Sequence, residues 1–107
     1  MTEAGVRTEE TEPGRLLVRL DGEVDLENAG IVEERLSEVI TNRAESVTLD
    51  LGGLDYLDSA GLRVLFALAG RLELLQIALD VVVPVGSPAR KAAELSGLGA
   101  VVTLRAT

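Results

Sequence analysis

The chain has no cysteine and no histidine, and among its 107 residues only Tyr56 and Phe66 are aromatic. Without cysteine there is no disulfide and no thiolate metal site, which fits a reducing compartment. Without histidine there is no Ser-His-Asp or Cys-His arrangement, and the commonest transition-metal ligand is missing. Chemistry would have to run on carboxylates, hydroxyls, arginines and a single lysine, Lys91. No cofactor or metal is expected, and the chain reads as a binding module and not an enzyme. Positive charge is also scarce: ten basic residues stand against eighteen acidic ones, a net charge of -8. Such a domain repels phosphate backbones and anionic lipid, so a basic protein surface is a better partner than nucleic acid or bare membrane. No run of about 18 apolar residues occurs, so no direct membrane insertion is expected. The longest candidate is interrupted by Arg63, Arg71 and Glu73. Residues 1–11 carry Glu3, Glu9 and Glu10 and no apolar run, unlike a signal peptide, and a soluble, cytoplasmic protein is expected.

What is present is aliphatic: 47% of the residues are apolar, and with so few aromatics the core must be valine, leucine, isoleucine and alanine. A chain of this size buries roughly two-thirds of its unfolded surface, enough for one core. Residues 1–107 read as a single domain with its core at about 15–104. Residues 1–14 form a polar, frayed segment with a short edge strand near Gly5 to Thr8, closed by Pro13-Gly14. Arg15 to Leu20 reads as a strand ended by Asp21-Gly22. From Leu26 to Asn42, Ala29, Val32, Leu36, Val39 and Ile40 recur at helical spacing. Asp25 is the expected N-cap of that helix and Asn42 its stop.

Ser46 to Leu51 alternates apolar and polar residues as a strand does and ends at Gly52-Gly53, read as a turn that allows positive φ. Leu54 to Asp58 reads as a loop. A second helix begins at Ser59 with Leu62, Leu65, Phe66, Ala69 and Leu72 as its buried stripe, widened by Val64 and Leu68. Ile77 to Val83 is nearly continuously apolar and predicts a central strand covered on both faces. Ser87-Pro88 starts a third helix, which Gly97 ends, with Arg90 and Lys91 on a solvated face. Val101 to Leu104 is a last strand. This alternation predicts an α/β fold: a mixed, mostly parallel sheet of four to five strands with about three to four helices and right-handed crossovers.

The informative segment runs from Leu49 to Leu62. Residues 44–62 contain Glu45, Asp50, Asp55 and Asp58 and no lysine or arginine, so an acidic rim surrounds Ser59. Ser59 precedes the periodic run and has the position of a helix N-cap, whose oxygen accepts a first-turn amide. A phosphate there would lie near unsatisfied N–H groups at the positive end of the helix. Its charge of about -1.5 to -2 would act on whatever docks at the loop. Both readings are open on these residues. Gly61, in the first turn, fits either a close partner backbone or tight packing of helix on sheet.

Asp58-Ser59-Ala60-Gly61-Leu62 resembles the Asp-Ser-Ser/Thr-Gly-Leu signature of STAS domains, which include the bacterial anti-sigma factor antagonists. Leu20 to Leu26 is similar to the family's Gly-Glu-Leu-Asp turn. Val83 to Arg90 and Glu94 to Leu98 are similar to its last-helix region. The four segments occur in order and cover most of residues 15–104. The resemblance implies a phosphorylated serine at Ser59, with Asp25, Asp55, Asp58, Ala60, Gly61 and Leu62 in the partner-binding surface. It implies two partners: an anti-sigma factor with ATP-dependent serine kinase activity, which the unphosphorylated form binds to release the sigma factor, and a phosphoserine phosphatase, which restores that form. Two positions depart from the pattern. Ala60 replaces a common serine or threonine, and Leu72 to Ile77 lacks the glycine often found between the second helix and the next strand.

Other roles would share parts of this pattern. A STAS subunit of a stressosome-type scaffold, or of a lipid-transport ABC complex, would share the signature without the switch. A receiver domain would share the alternating order, and Asp50 could be its acceptor, but it needs a lysine at a later strand end, and Lys91 lies in a predicted helix. The glycines at 52, 53 and 86 lack phosphate-loop spacing. A hydrolase using Ser59 has no histidine base.

Overall fold

The structure, a computed structural model, describes residues 3–107. A hairpin opens the fold: β1 (Ala4–Glu12) pairs antiparallel with β2 (Arg15–Val24) across Pro13-Gly14. The N-terminal segment is therefore a full-length edge strand and not a frayed lead with four strand residues. Pairing along nearly all of β2 satisfies its backbone although its own residues are polar, and Ala4 and Val6 pack against the core. Glu9, Glu10 and Glu12 leave the outer edge charged, which disfavours addition of a further strand. Met1 and Thr2 lie outside the described residues.

Then follow α1 (Ala29–Val39), β3 (Ser46–Asp50), β4 (Leu54–Leu57), α2 (Ser59–Leu74), β5 (Ala78–Val82), α3 (Pro88–Ser96), a 3-10 turn (Leu98–Ala100) and β6 (Thr103–Arg105). The sheet order is β1-β2-β3-β5-β6, with β4 added beside the end of β2. Every pairing except β1 with β2 is parallel. The α/β class and the mixed, mostly parallel sheet are as the sequence predicts, with six strands and three α-helices among the described residues. The extra strand is β4, read from the sequence as a loop. It is four residues long, without alternation, and it exists because β2 runs on past Asp21-Gly22 and offers Glu23 and Val24 as partners to Tyr56 and Leu57. At Gly22 the backbone has φ +90, and a Cβ there would meet Glu3 O at 2.4 Å, so only glycine lets the strand continue under the start of β1.

Val18, Leu20, Val47, Leu49, Leu51, Val81 and Val83 are buried in one aliphatic core with Val32, Leu36 and Ile40 of the α1 region and Val64, Leu65, Leu68 and Leu72 of α2. Among the described residues nothing covers the other face of the sheet. It carries the ion pairs Arg7–Asp21, Arg19–Asp50 and Arg105–Asp80, all partly exposed. The expectation that residues 77–83 form a strand covered on both faces therefore fails. Leu79, Val81 and Val83 face the helices, while Ala78, Asp80 and Val82 face outward. The outward Val82 lies in register between Asp50 and Arg105 and is half-buried.

Both ends of α1 differ from expectation. Helix α1 starts after Asn28 rather than Asp25, and stops with Ile40 as its C-cap, short of Asn42. Arg71 of α2 donates to Ile40 O at 3.2 Å and Ser37 Oγ at 3.1 Å, satisfying that end and tying the two helices together. Helix α2 ends without glycine: Gln76 takes a left-handed φ of 59. Helix α3 is as read, with Ser87 Oγ accepting from Arg90 N at 3.1 Å, Pro88 in the first turn and Gly97 left-handed at its end. Arg90, however, is not on a solvated face. Its side chain is 17% exposed, donates to Val83 O at 3.0 Å and lies 3.6 Å from Glu94. Gly52 and Gly53 have no positive φ. Gly53 instead clears the Asp21 side chain, and Gly52 N donates to Asp50 Oδ1 at 2.8 Å.

Candidate functional site

Strands β2 and β4 run side by side and deliver two loops to one end of the sheet. One, from Asp25 to Asn28, leads into α1; the other is Asp58 alone, leading into α2. The cap of α2 is Asp58, not Ser59. Asp58 Oδ1 accepts from Ala60 N at 2.9 Å and from Gly61 N at 3.1 Å. Its Oδ2 accepts from Leu26 N at 3.3 Å, and its own N donates to Val24 O at 3.3 Å. One carboxylate thus closes the helix end and holds the neighbouring loop to it. Asp and Ser are about equally good caps, and here the residue one position earlier takes the role.

Ser59 is consequently the first residue of α2, exposed, and free of capping duty. The expectation that a group on Ser59 would find open first-turn amides is corrected too, because Asp58 already accepts from Ala60 and Gly61.

The remaining residues singled out from the sequence fall into two groups. Asp25 is half-buried beside Leu26, its Oδ1 accepting from Glu27 N at 2.9 Å, so it shapes its loop instead of capping α1. Asp55 is exposed on β4. These two acids, Asp58 and Ser59 lie on the loops and strand gathered at this end. Ala60 and Gly61 are buried, and Leu62 is half-buried. A Cβ on Gly61 would meet Leu57 Cδ1 at 2.4 Å, Val24 Cγ1 at 3.1 Å and Val24 O at 3.2 Å. The glycine therefore serves close packing of α2 on the sheet, and through it the position of the Asp58-Ser59 corner.

Sequence reasoning missed two contributors. Asn28 is buried, its Oδ1 accepting from Asp25 N at 3.0 Å and its Nδ2 donating to Glu23 O at 2.8 Å, so one amide spans the loop before α1. The other is Leu26, which is 80% exposed although apolar. It lines a groove of about 370 Å³ between α1 and α2, together with Gly30, Glu33, Ala60, Arg63 and Ala67 among others. Small residues on both helices leave this space. A smaller hollow of about 90 Å³ continues it toward Ser37 and Arg71. No cluster of three or more acids that could hold a metal occurs among the described residues. No helix there is long and apolar enough to cross a membrane.

With one-sided cover, a mostly parallel sheet and a serine at the corner of two loops, the molecule can be set beside known proteins. The family model for the STAS domain matches residues 7–107, and the chain belongs to that family. It is similar to BtrV of Bordetella bronchiseptica, with 41% identity over 63 residues, 59% of this chain and 54% of that protein. It is also similar to the anti-sigma-F factor antagonist RsfB of Mycobacterium tuberculosis, with 32% identity over 85 residues, 79% of this chain and 68% of that one. The chain thus spans about half the length of the first relative and about two-thirds of the second. In fold it matches the crystal structure of an anti-sigma factor antagonist from Mycobacterium paratuberculosis, with a TM-score of 0.79 and 24% identity over 98% of this chain and 87% of that one.

Proposed function

We propose that this chain is an anti-sigma factor antagonist switched at Ser59. In its unphosphorylated form it binds an anti-sigma factor that is also an ATP-dependent serine kinase, and so releases the sigma factor. Phosphorylation of Ser59 blocks that binding, and a phosphoserine phosphatase restores it. The observation that carries this reading is the exposed Ser59 hydroxyl at the loop corner, relieved of capping by Asp58. A serine needed as a cap would be a poor place for a reversible modification; this one can be modified without removing the cap. Membership of the STAS family and likeness to RsfB support the choice of partner class.

Electrostatics supports the direction of the switch. Asp25, Asp55 and Asp58 make the corner acidic, which suits a basic partner patch. A phosphate adds about -1.5 to -2 charge and bulk at one point of that surface. Ala60 and Gly61 contribute from below by setting the corner's position, while Leu62 extends the helix beneath it.

The test is capture of binding proteins from the native host extract by wild type, Ser59→Ala and Ser59→Asp, with the captured proteins identified by mass spectrometry. Retention of a kinase-type anti-sigma factor by wild type and the alanine variant, with loss by the aspartate variant, supports the switch. Capture of the same scaffold or transporter ATPase by all three overturns it in favour of a constitutive assembly role.

A further inference from the structure

Asp58 already occupies amides that an anion at this helix end would seek, accepting from Ala60 N at 2.9 Å and Gly61 N at 3.1 Å. A phosphate on Ser59 would find those donors taken and a carboxylate beside them. Its counter-charge must come from a side chain. Arg63 follows Ser59 by four residues on α2, where neighbours on one helix face have Cβ atoms about 6 Å apart. Long helical side chains lean back toward the N-terminus, which puts a phosphate on Ser59 within reach of the Arg63 guanidinium. Arg63 is exposed and, among the described residues, takes part in no ion pair or side-chain hydrogen bond. Arg7, Arg15, Arg19, Arg90 and Arg105 are all ion-paired, and Arg35 and Arg71 donate to backbone carbonyls. Arg43 lies in the loop leading into β3, at the opposite end of the parallel strands from Ser59. Arg63 also lines the α1–α2 groove together with Leu26 and Ala60.

We propose that Arg63 receives the phosphate on Ser59 and draws it along α2, so that the ion pair lies across the α1–α2 groove. This rests on the reading of Ser59 as the phosphoacceptor and gives that modification a place to go. Unmodified, the groove has exposed Leu26 on its lining and small, buried Ala60 beneath, an apolar surface. Modified, a dianion gripped by a planar guanidinium lies across it. Arg63 then acts twice, as the phosphate's counter-ion and as the residue that turns a charge at the corner into closure of the groove. Lysine would do this less well, because the bidentate grip belongs to arginine.

The test needs no kinase. Phosphoserine is installed at position 59 during translation, and its second pKa is read by 31P NMR titration at low ionic strength. A nearby cation favours the dianion and lowers that pKa. Arg63→Gln is expected to raise it by about 0.3 of a pH unit, Arg63→Lys by less, and the difference should shrink in ~1 M salt. Lys91→Gln, which removes the same charge from exposed Lys91 on α3, should leave it where it was. An unchanged pKa in Arg63→Gln overturns the proposal, as does an equal rise in Lys91→Gln, which would mean that only net charge is felt. If a kinase phosphorylates Ser59 and the titration is flat, this inference alone fails. If the titration shifts and no kinase is captured, the proposed function fails instead.

Discussion

The carboxylate of Asp58 accepts a hydrogen bond from the backbone N–H of Leu26, 32 residues earlier in the chain, at 3.3 Å. The same carboxylate caps α2 through Ala60 and Gly61. Two loops that arrive independently at the sheet end are thereby fixed in one arrangement, with Leu26 and Ser59 on its surface. The residue beside Ser59 does the structural work, and the Ser59 side chain takes no part in the cap.

This division can be measured by urea unfolding. Asp58→Ala should cost about 1–2 kcal/mol through loss of the cap, with a further fraction from the tie to Leu26. Asp58→Asn keeps an acceptor for the cap and should cost less. Ser59→Ala should stay within about 0.5 kcal/mol of wild type. A Ser59→Ala cost equal to that of Asp58→Ala would show that Ser59 shares the capping role.

Gly61→Ala should destabilise although alanine is the better helix former. The added methyl would meet Leu57 Cδ1 and the backbone of Val24, and that backbone belongs to a paired strand. Overpacking of this kind costs about 1–3 kcal/mol, against a propensity gain of up to about 1 kcal/mol. Unfolding should therefore show a net loss. Amide chemical shifts around Val24, Leu57 and Ser59 should move, because α2 must lift from the sheet. A net gain in stability would show that α2 has room to shift.

Gln76→Gly should do the opposite. Gln76 holds φ 59 where the chain leaves α2 for β5, and the left-handed conformation costs a residue with a Cβ roughly 1–2 kcal/mol. Glycine removes that strain but gains freedom in the unfolded chain, which offsets part of the benefit. A net stabilisation of about 0.5–1 kcal/mol is expected in thermal or urea unfolding, with no change in the site at the other end of α2. A destabilised variant would mean that the Gln76 side chain contributes packing that the strain does not cancel.

The last of these residues also marks how far the sequence could be read. The missing glycine between Leu72 and Ile77 is visible in the sequence, and the consequence follows from it: some other residue must take the left-handed position. Helix α2 and the parallel β2, β3 and β5 were legible because aliphatic spacing is strong there. Strand β4 was not, since four residues without alternation become a strand only through the continuation of β2. The bare sheet face was hidden for a related reason. Val82 keeps the Ile77–Val83 run apolar, so the run reads as buried on both sides until Asp80 is seen paired with Arg105 in the open. At the site, the serine and its acidic rim were legible as a cluster of residue types. Which residue caps was not, because adjacent Asp58 and Ser59 are both good caps and only backbone geometry at position 58 decides between them.

Asn28 gives the corresponding prediction for the other loop. It is 7% exposed and joins Asp25 N to Glu23 O through the two ends of one side-chain amide. Asn28→Ala removes both of these part-buried hydrogen bonds, each worth about 1 kcal/mol. Asn28→Asp keeps the acceptor, loses the donor and places a charge where the amide was buried, so it should not rescue the alanine variant. Because the loop also carries Leu26, the effect should be local as well as global: amide exchange at Asp25 and Leu26 should quicken in Asn28→Ala beyond what the fall in overall stability accounts for. Partner affinity in the capture experiment should then fall even under conditions where the variant is fully folded. Unchanged exchange at Asp25 would mean that the tie from Asp58 to Leu26 alone is enough to hold the loop.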